Sequence, residues 1–89
     1  MSEEGKKMGE DVRGRLFRFI EGRFPAARGT TLSDDTPLLE AGIVDSLGML
    51  EIVLFIDREL RMELGDGDLT PENFGSISNI ARFLESKAA

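Results

Sequence analysis

The chain of 89 residues contains no cysteine and no histidine. Without cysteine there can be no disulfide framework, which fits a cytoplasmic protein. Without histidine the chain lacks the usual general base and the commonest metal ligand. No apolar run approaches the roughly 20 residues that span a bilayer, and the polar N-terminus is unlike a signal peptide. We therefore expect a small cytoplasmic domain with no membrane partner.

Charge is present but unevenly distributed. Residues 1–29 carry seven basic and five acidic side chains, whereas residues 30–89 carry four basic and twelve acidic ones, and the net charge is −6. The acidic part should attract basic partner surfaces and repel nucleic acid, so no nucleic-acid partner is expected. The alternative, that the acids only keep a small domain soluble, explains the charge equally well.

Apolar residues recur at three- and four-residue spacings in three stretches, and each stretch predicts an amphipathic helix. The first begins near residues 9–11 and ends near Phe24, because Pro25 follows. The second begins at Asp45-Ser46, whose side chains suit the first turn of a helix. The third follows Ser76 or Ser78, either of which could cap it. The residues that carry the three patterns are Val12, Leu16, Ile20 and Phe24; Leu47, Leu50, Ile52, Val53, Leu54, Ile56 and Leu60; and Ile77, Ile80, Ala81 and Leu84.

A shorter helix is predicted at Thr70, with Thr70 as its cap and Pro71 in its first position. The expected fold class is all-α: a small bundle of three longer helices plus one short helix, with a long first loop over residues 25–45. Apolar side chains should pin that loop across the core. One domain is expected at residues 9–86, with a flexible N-terminal tail at 1–8 and a C-terminal tail at 87–89. The pinning residues are Leu32, Leu38, Leu39, Ile43 and Val44.

Two catalytic or metal motifs fail on spacing. A nucleophile elbow around Ser46 would need glycine at position 44, which is Val44, and no histidine exists to activate the serine. A calcium loop counted from Asp66 would need glycine where Pro71 stands and a bidentate acid where Ile77 stands. We therefore expect neither an enzyme nor a metal site.

The stretch Asp45-Ser46-Leu47, preceded by Gly42-Ile43-Val44 and followed by Glu51, resembles the phosphopantetheine-attachment motif of acyl and peptidyl carrier proteins. Asp35, Leu38 and Gly42 match the "D-x-x-L-x-x-x-G" pattern of that family's first loop. The resemblance covers residues 12–84. It implies that Ser46, flanked by Asp45 and Leu47, carries a covalent 4'-phosphopantetheine arm derived from coenzyme A. A thiol at the end of the arm would hold the cargo as a thioester.

The alternative for Ser46 is that it merely caps the central helix. Beyond the serine, the helix is expected to divide into a partner-binding face and a core face. Leu47, Leu50, Glu51 and Leu54 are the candidates for partner contact, with Asp57 at the rim. Core packing is the alternative for these leucines and a solvated face is the alternative for the acids. Ile52, Val53, Ile56 and Leu60 are assigned to the core.

The chain departs from the fatty-acid carrier pattern at Gly48, where those carriers usually have an acid. The departure favours a broad-specificity phosphopantetheinyl transferase and a role in natural-product biosynthesis, polyketide or nonribosomal peptide. The other expected partners are an acyl- or aminoacyl-adenylating loading enzyme and downstream synthase, condensation or tailoring enzymes. Met1 and the short polar C-terminus favour a free-standing chain over a docking domain of a larger synthase, and a monomer is expected. A discrete aminoacyl carrier and an unmodified acidic interaction module are the alternatives.

Overall fold

The computed structural model describes residues 8–29 and 31–88, and the regular structure in these ranges is entirely helical. The all-α class with its three longer helices is therefore confirmed. The expected N-terminal tail lies outside the described residues except for Met8. The elements are α1 (Met8–Arg23), α2 (Pro25–Arg28), α3 (Ser46–Glu59), a 3₁₀ turn (Asp66–Asp68), α4 (Pro71–Phe74) and α5 (Ile77–Ala88).

A single apolar core holds the longer helices together, and α1 packs against α5. The four-residue spacing of α1 places Val12, Leu16 and Ile20 on its buried side, as the sequence predicts. Towards α3, Phe19 stacks on Phe55 with ring centroids 4.4 Å apart. The remaining buried apolar side chains are Phe24, Ala27, Leu38, Ile43, Val44, Ile52, Ile56, Phe74, Ile77, Ile80, Ala81 and Leu84.

The long first loop is pinned through its second half. Leu38, Ile43 and Val44 are buried, and the backbone amides of Ile43 and Val44 both donate to the Leu38 carbonyl, at 3.0 and 3.1 Å. The Leu38 amide in turn donates to the carbonyl of Gly75, at 2.9 Å. Gly42 adopts φ +76, a backbone region that glycine enters without steric cost. These bonds fix the segment that leads into α3.

Two features of this loop differ from the sequence prediction. Leu39 was expected to help pin the loop but is 50% exposed, because the inward position of the turn is occupied by its neighbour Leu38. Residues 25–28 were expected to be irregular but form α2, which begins with Pro25 and buries Ala27. Proline suits the first helical position because its fixed φ is already helical. Pro25 therefore ends one helix and begins another, and the described residues contain two short α-helices instead of one.

The short helix at residues 71–74 is confirmed together with its cap. The Thr70 hydroxyl accepts a hydrogen bond from the Asn73 amide, at 3.2 Å, and Pro71 occupies the first helical position. Ser76, one of the two candidate caps of α5, accepts from the Asn79 amide at 3.2 Å. Ser78 instead accepts from the guanidinium of Arg13, at 3.0 Å.

The domain boundaries expected from the sequence, at residues 9 and 86, remain a prediction. In the structure α5 continues to Ala88, so Lys87 is helical, although the sequence placed it in a tail. Among the described helices, none has both the length and the apolar character that crossing a membrane requires.

Candidate functional site

The site lies where the pinned loop meets α3. Asp45 has an extended backbone, and its carboxylate accepts a hydrogen bond from the Gly48 amide at 2.7 Å. Its carbonyl accepts from the Met49 amide at 2.9 Å, the first bond of the helix. Asp45 is therefore the N-cap of α3, and Ser46 is the first helical residue, exposed to solvent. Because Asp45 fills the capping position, the cap does not explain Ser46.

Gly48 sits under this first turn with almost no room beside it. A Cβ at Gly48 would lie 2.7 Å from the ring of Phe24 and 2.9 Å from a methyl carbon of Val44. Both distances are shorter than real Cβ contacts, so a side chain at this position would displace its neighbours. The missing acid at position 48 thus has a steric reason. The sequence did not reveal it, because Phe24 lies 24 positions away.

Three exposed leucines line the outer side of α3: Leu47 is 71% exposed, Leu50 53% and Leu54 52%. Their spacing of three and four residues places them on one face of the helix. We call this face the leucine ridge. Core packing, the alternative considered for these side chains, is not what the structure shows. Their role in partner contact stays a prediction.

Glu51 lies beside the leucine ridge and is paired within the molecule. Two nitrogens of Arg23 reach its two carboxylate oxygens, at 2.6 and 2.9 Å, in the forked geometry that arginine favours. The guanidinium also lies 5.8 Å from the centroid of the Phe24 ring. Sequence reasoning missed Arg23, since the two partners are 28 positions apart. Asp57, predicted at the rim, is exposed.

The opposite side of α3 faces the core. Ile52 and Ile56 are fully buried, as predicted, while Val53 and Leu60 are half-buried against the core. Met49 is half-buried, because it faces the first loop and the segment before α4.

A mostly apolar groove of about 480 Å³ opens next to Met49. Leu39 and Leu69 contribute exposed side chains to it, and Phe74 closes it on the core side. Met49 lies one turn after Ser46, so the groove begins close to the proposed attachment serine. Its lining suits an apolar group more than a charged one.

Of the titratable groups in the described residues, Asp68 has a clearly shifted pKa. The Gly65 amide donates to its carboxylate at 2.9 Å and lowers the pKa of Asp68 below its ordinary value. Desolvation opposes this lowering of the pKa, and Lys87, at 3.3 Å, adds smaller lowering effects. Asp68 belongs to a recess beside the second half of α3, not to the site at Ser46. Within residues 8–29 and 31–88, no cluster of three side chains is suited to hold a metal.

Comparison with known proteins identifies relatives of about this size, although no family model matches the chain. A Serratia protein named "Probable acyl carrier protein PigG" is 26% identical over 74 residues, 83% of this chain and 85% of that protein. "Aminoacyl carrier protein 1" of Bradyrhizobium diazoefficiens is 27% identical over 77 residues, 83% of this chain and 82% of that protein.

A solved structure adds a likeness in three dimensions. A chain in the crystal structure described as that of an FAD-dependent dehydrogenase superposes with a TM-score of 0.69 at 29% identity. The match covers 78% of this chain and 97% of that chain, so the matched chain is itself no longer than the domain described above.

The helical bundle, the exposed serine directly after the N-cap of α3 and the two named relatives point to the same class of protein. This chain is similar in sequence and in its helical architecture to carrier proteins.

Proposed function

We propose that the protein is an acyl carrier protein whose Ser46 bears a 4'-phosphopantetheine arm. The observation that carries the proposal is the position of Ser46: it is exposed, it is the first residue of α3, and its neighbour Asp45 supplies the cap. A hydroxyl in this position is accessible to a modifying enzyme and is not needed for folding. Asp45 and Leu47 frame the attachment point.

The start of a helix suits the proposed phosphodiester link. Unpaired backbone amides and the helix dipole favour negative charge there. The arm would be flexible and would carry its cargo between enzymes, while the helical body would present the surface that those enzymes recognise. In this function the serine is acted upon, and the protein itself catalyses nothing.

Intact mass after co-expression with a broad-specificity phosphopantetheinyl transferase tests the proposal. The wild type should gain the mass of one phosphopantetheine, and Ser46→Ala should gain none. Ser86→Ala is the matched control, because Ser86 is also an exposed helical serine, and this variant should be modified like the wild type. A wild type that gains no mass would refute the carrier and leave an unmodified interaction module.

Gly48 bears on which class of phosphopantetheinyl transferase modifies the protein. Because the first turn of α3 carries no acid at that position, a broad-specificity transferase should modify the protein faster than one dedicated to fatty-acid synthesis. Parallel incubation with each enzyme and coenzyme A measures the difference. Efficient loading by the fatty-acid enzyme alone would contradict it.

We further propose that the cargo is acyl or aminoacyl and that the pathway is one of natural-product biosynthesis in the cytoplasm. The name of the Bradyrhizobium relative keeps the aminoacyl alternative open. An adenylating enzyme would load the arm of a monomeric carrier, and synthase, condensation or tailoring enzymes would act next. The likeness to a chain in a dehydrogenase structure favours a flavin-dependent enzyme among the tailoring partners. Mass analysis of the holo-protein with acyl- and aminoacyl-adenylating enzymes distinguishes the two cargoes.

A further inference from the structure

A polar cluster ties the long first loop to two helices at a point well before Ser46 in the chain. The guanidinium of Arg13, on α1, donates to the carboxylate of Asp34 at 3.4 Å and to the hydroxyl of Ser78 at 3.0 Å. The backbone amide of Ser78, on α5, donates to the carbonyl of Asp34 at 2.8 Å. We call these three residues the Arg13 clamp, because one guanidinium joins the loop, α1 and α5.

The loop residue that the clamp holds lies in a turn with hydrogen bonds of its own. The backbone amide of Ser33 donates to the hydroxyl of Thr36 at 2.9 Å, and the amide of Thr36 donates to the Ser33 carbonyl at 3.2 Å. Pro37 follows, and its ring fixes φ at the next position. Because the turn is stiff, holding Asp34 also restricts the residues that come directly after it.

A second anchor lies a few residues further along the loop. The amide of Leu38 donates to the carbonyl of Gly75, between α4 and α5, at 2.9 Å. The carbonyl of Leu38 accepts from two amides of the segment that leads into α3. The part of the loop that presents Ser46 is therefore attached to the start of α5 at two points, the bond between Asp34 and Ser78 and the bond between Leu38 and Gly75.

We propose that Arg13 is a positioning residue for the modification of Ser46, although it does not belong to the site. The clamp holds the first anchor, and the stiff turn passes this restraint to the second anchor at Leu38. Without the clamp the loop opens locally, and Ser46 spends less time in the geometry that the modifying enzyme accepts. The apparent affinity of that enzyme falls by the same fraction. The inference rests on the proposed function and deepens it.

The alternative is that the clamp serves the stability of the whole domain. The side chains of Arg13 and Asp34 are 32% and 45% exposed, and ion pairs at such exposure contribute little to global stability. Loops open locally at a lower free energy than the whole domain, so a weak restraint has its main effect there. The two roles predict different patterns of local opening.

Amide hydrogen exchange of the unmodified protein, followed by NMR, distinguishes these patterns. In Arg13→Gln the amides of Ser78 and Leu38 should exchange about 5-fold faster than in the wild type, because both anchors open more often. The amide of Ile20, inside α1, should stay within about twofold. Equal acceleration at all three amides would show that the clamp acts on global stability, and it would overturn the proposal.

The effect on the reaction is measured as kcat/KM for modification by the broad-specificity transferase. Arg13→Gln and Ser78→Ala should each lower kcat/KM about 3-fold, mainly through KM, since each removes part of the same clamp. The double variant should be no worse than about twofold below either single variant, because the two residues act as one unit. Arg13→Lys keeps the charge beside Asp34 and should lose less than Arg13→Gln.

Two control variants separate positioning from charge and from stability. Arg82→Gln removes an exposed arginine from α5 and should leave kcat/KM within about 1.5-fold of the wild type. Ile20→Val removes a methylene from a fully buried position and lowers the melting temperature, yet it should also leave kcat/KM within about 1.5-fold. A loss in either control as large as that in Arg13→Gln would overturn the proposal.

The same measurements tell the two proposals apart. If the wild type is not modified at all, the proposed function fails. If the wild type is modified and Arg13→Gln is modified at the same rate, only the positioning role of Arg13 fails.

Discussion

The two faces of α3 carry the same kind of side chain and have opposite surroundings. On one face Ile52 and Ile56 are fully buried in the core. On the other, Leu50 and Leu54 are about half exposed. A helix that is apolar on both sides is unusual for the surface of a small globular domain, where the outer face is normally polar.

The difference teaches that burial in this domain is decided by the neighbours of a face and not by its composition. The isoleucine face is buried in the core, to which α1, α5 and the pinned loop also contribute side chains. The leucine face meets solvent, so its apolar character has to be explained by something other than folding. The proposed role in carrying cargo between enzymes supplies that explanation.

The comparison is tested most strongly by truncating one residue on each face. Ile52→Ala should lower the free energy of unfolding by about 2–5 kcal/mol, because it opens a cavity in a fully buried position. Leu54→Ala, on the ridge, should change it by less than about 0.5 kcal/mol. Urea denaturation followed by circular dichroism measures both. Similar losses for the two variants would show that the ridge belongs to the core.

A substitution at Gly48 tests how tightly the first turn of α3 packs against the core. Gly48→Ala should destabilise the protein by about 1–3 kcal/mol, because its Cβ would overlap Phe24 and Val44. Alanine has a higher helix propensity than glycine, and this difference opposes the steric cost by about 1 kcal/mol. Gly22→Ala is the matched control: it lies in α1 with no heavy atom within 4 Å of the added Cβ, and it should be neutral or slightly stabilising. Urea denaturation would contradict the account if the two variants behaved alike.

Two substitutions at the start of α3 distinguish the residue that stabilises the helix, Asp45, from the proposed attachment residue, Ser46. Asp45→Ala should lower the free energy of unfolding by about 1 kcal/mol, because the Gly48 amide loses its acceptor. Ser46→Ala should change it by less than about 0.5 kcal/mol. Thermal unfolding of the unmodified proteins measures both. A larger loss of unfolding free energy for Ser46→Ala than for Asp45→Ala would show that Ser46 caps the helix.

The smallest expected effect concerns Asp68, in the recess beside the ridge. The lowered pKa of Asp68 means that its ionised form is bound more favourably in the folded state, so its contribution is present above the ordinary pKa of 3.8. It is lost as the pH falls through the lowered value. Asp68→Asn should therefore melt slightly below the wild type at pH 7, and the two melting temperatures should converge in acid. A constant difference at all pH values would contradict this.

Local patterns made much of this structure predictable from the sequence. The spacing of apolar residues in α1 and α5 and the Thr70-Pro71 start of α4 depend on residues a few positions apart, and all of them are confirmed. The Asp45-Ser46 junction is likewise local, although the sequence did not show which of the two residues is the cap.

Contacts between distant residues could not be predicted. The Arg23–Glu51 pair and the packing of Phe24 under Gly48 both join α3 to residues more than 20 positions earlier. Leu39 was misplaced for a related reason: adjacent leucines in a turn cannot both face the core, and only the tertiary structure decides which one does. The exposure of Leu50 likewise depends on what lies beside α3.

Mapping the attachment residue by tandem mass spectrometry tests the central claim most directly. The protein should be purified after co-expression with the broad-specificity transferase and digested without exposure to strong base, which would eliminate the phosphodiester from the serine. The account predicts phosphopantetheine on the peptide that contains Ser46, on that serine alone. An unmodified Ser46 peptide, or an arm on any other serine, would contradict it.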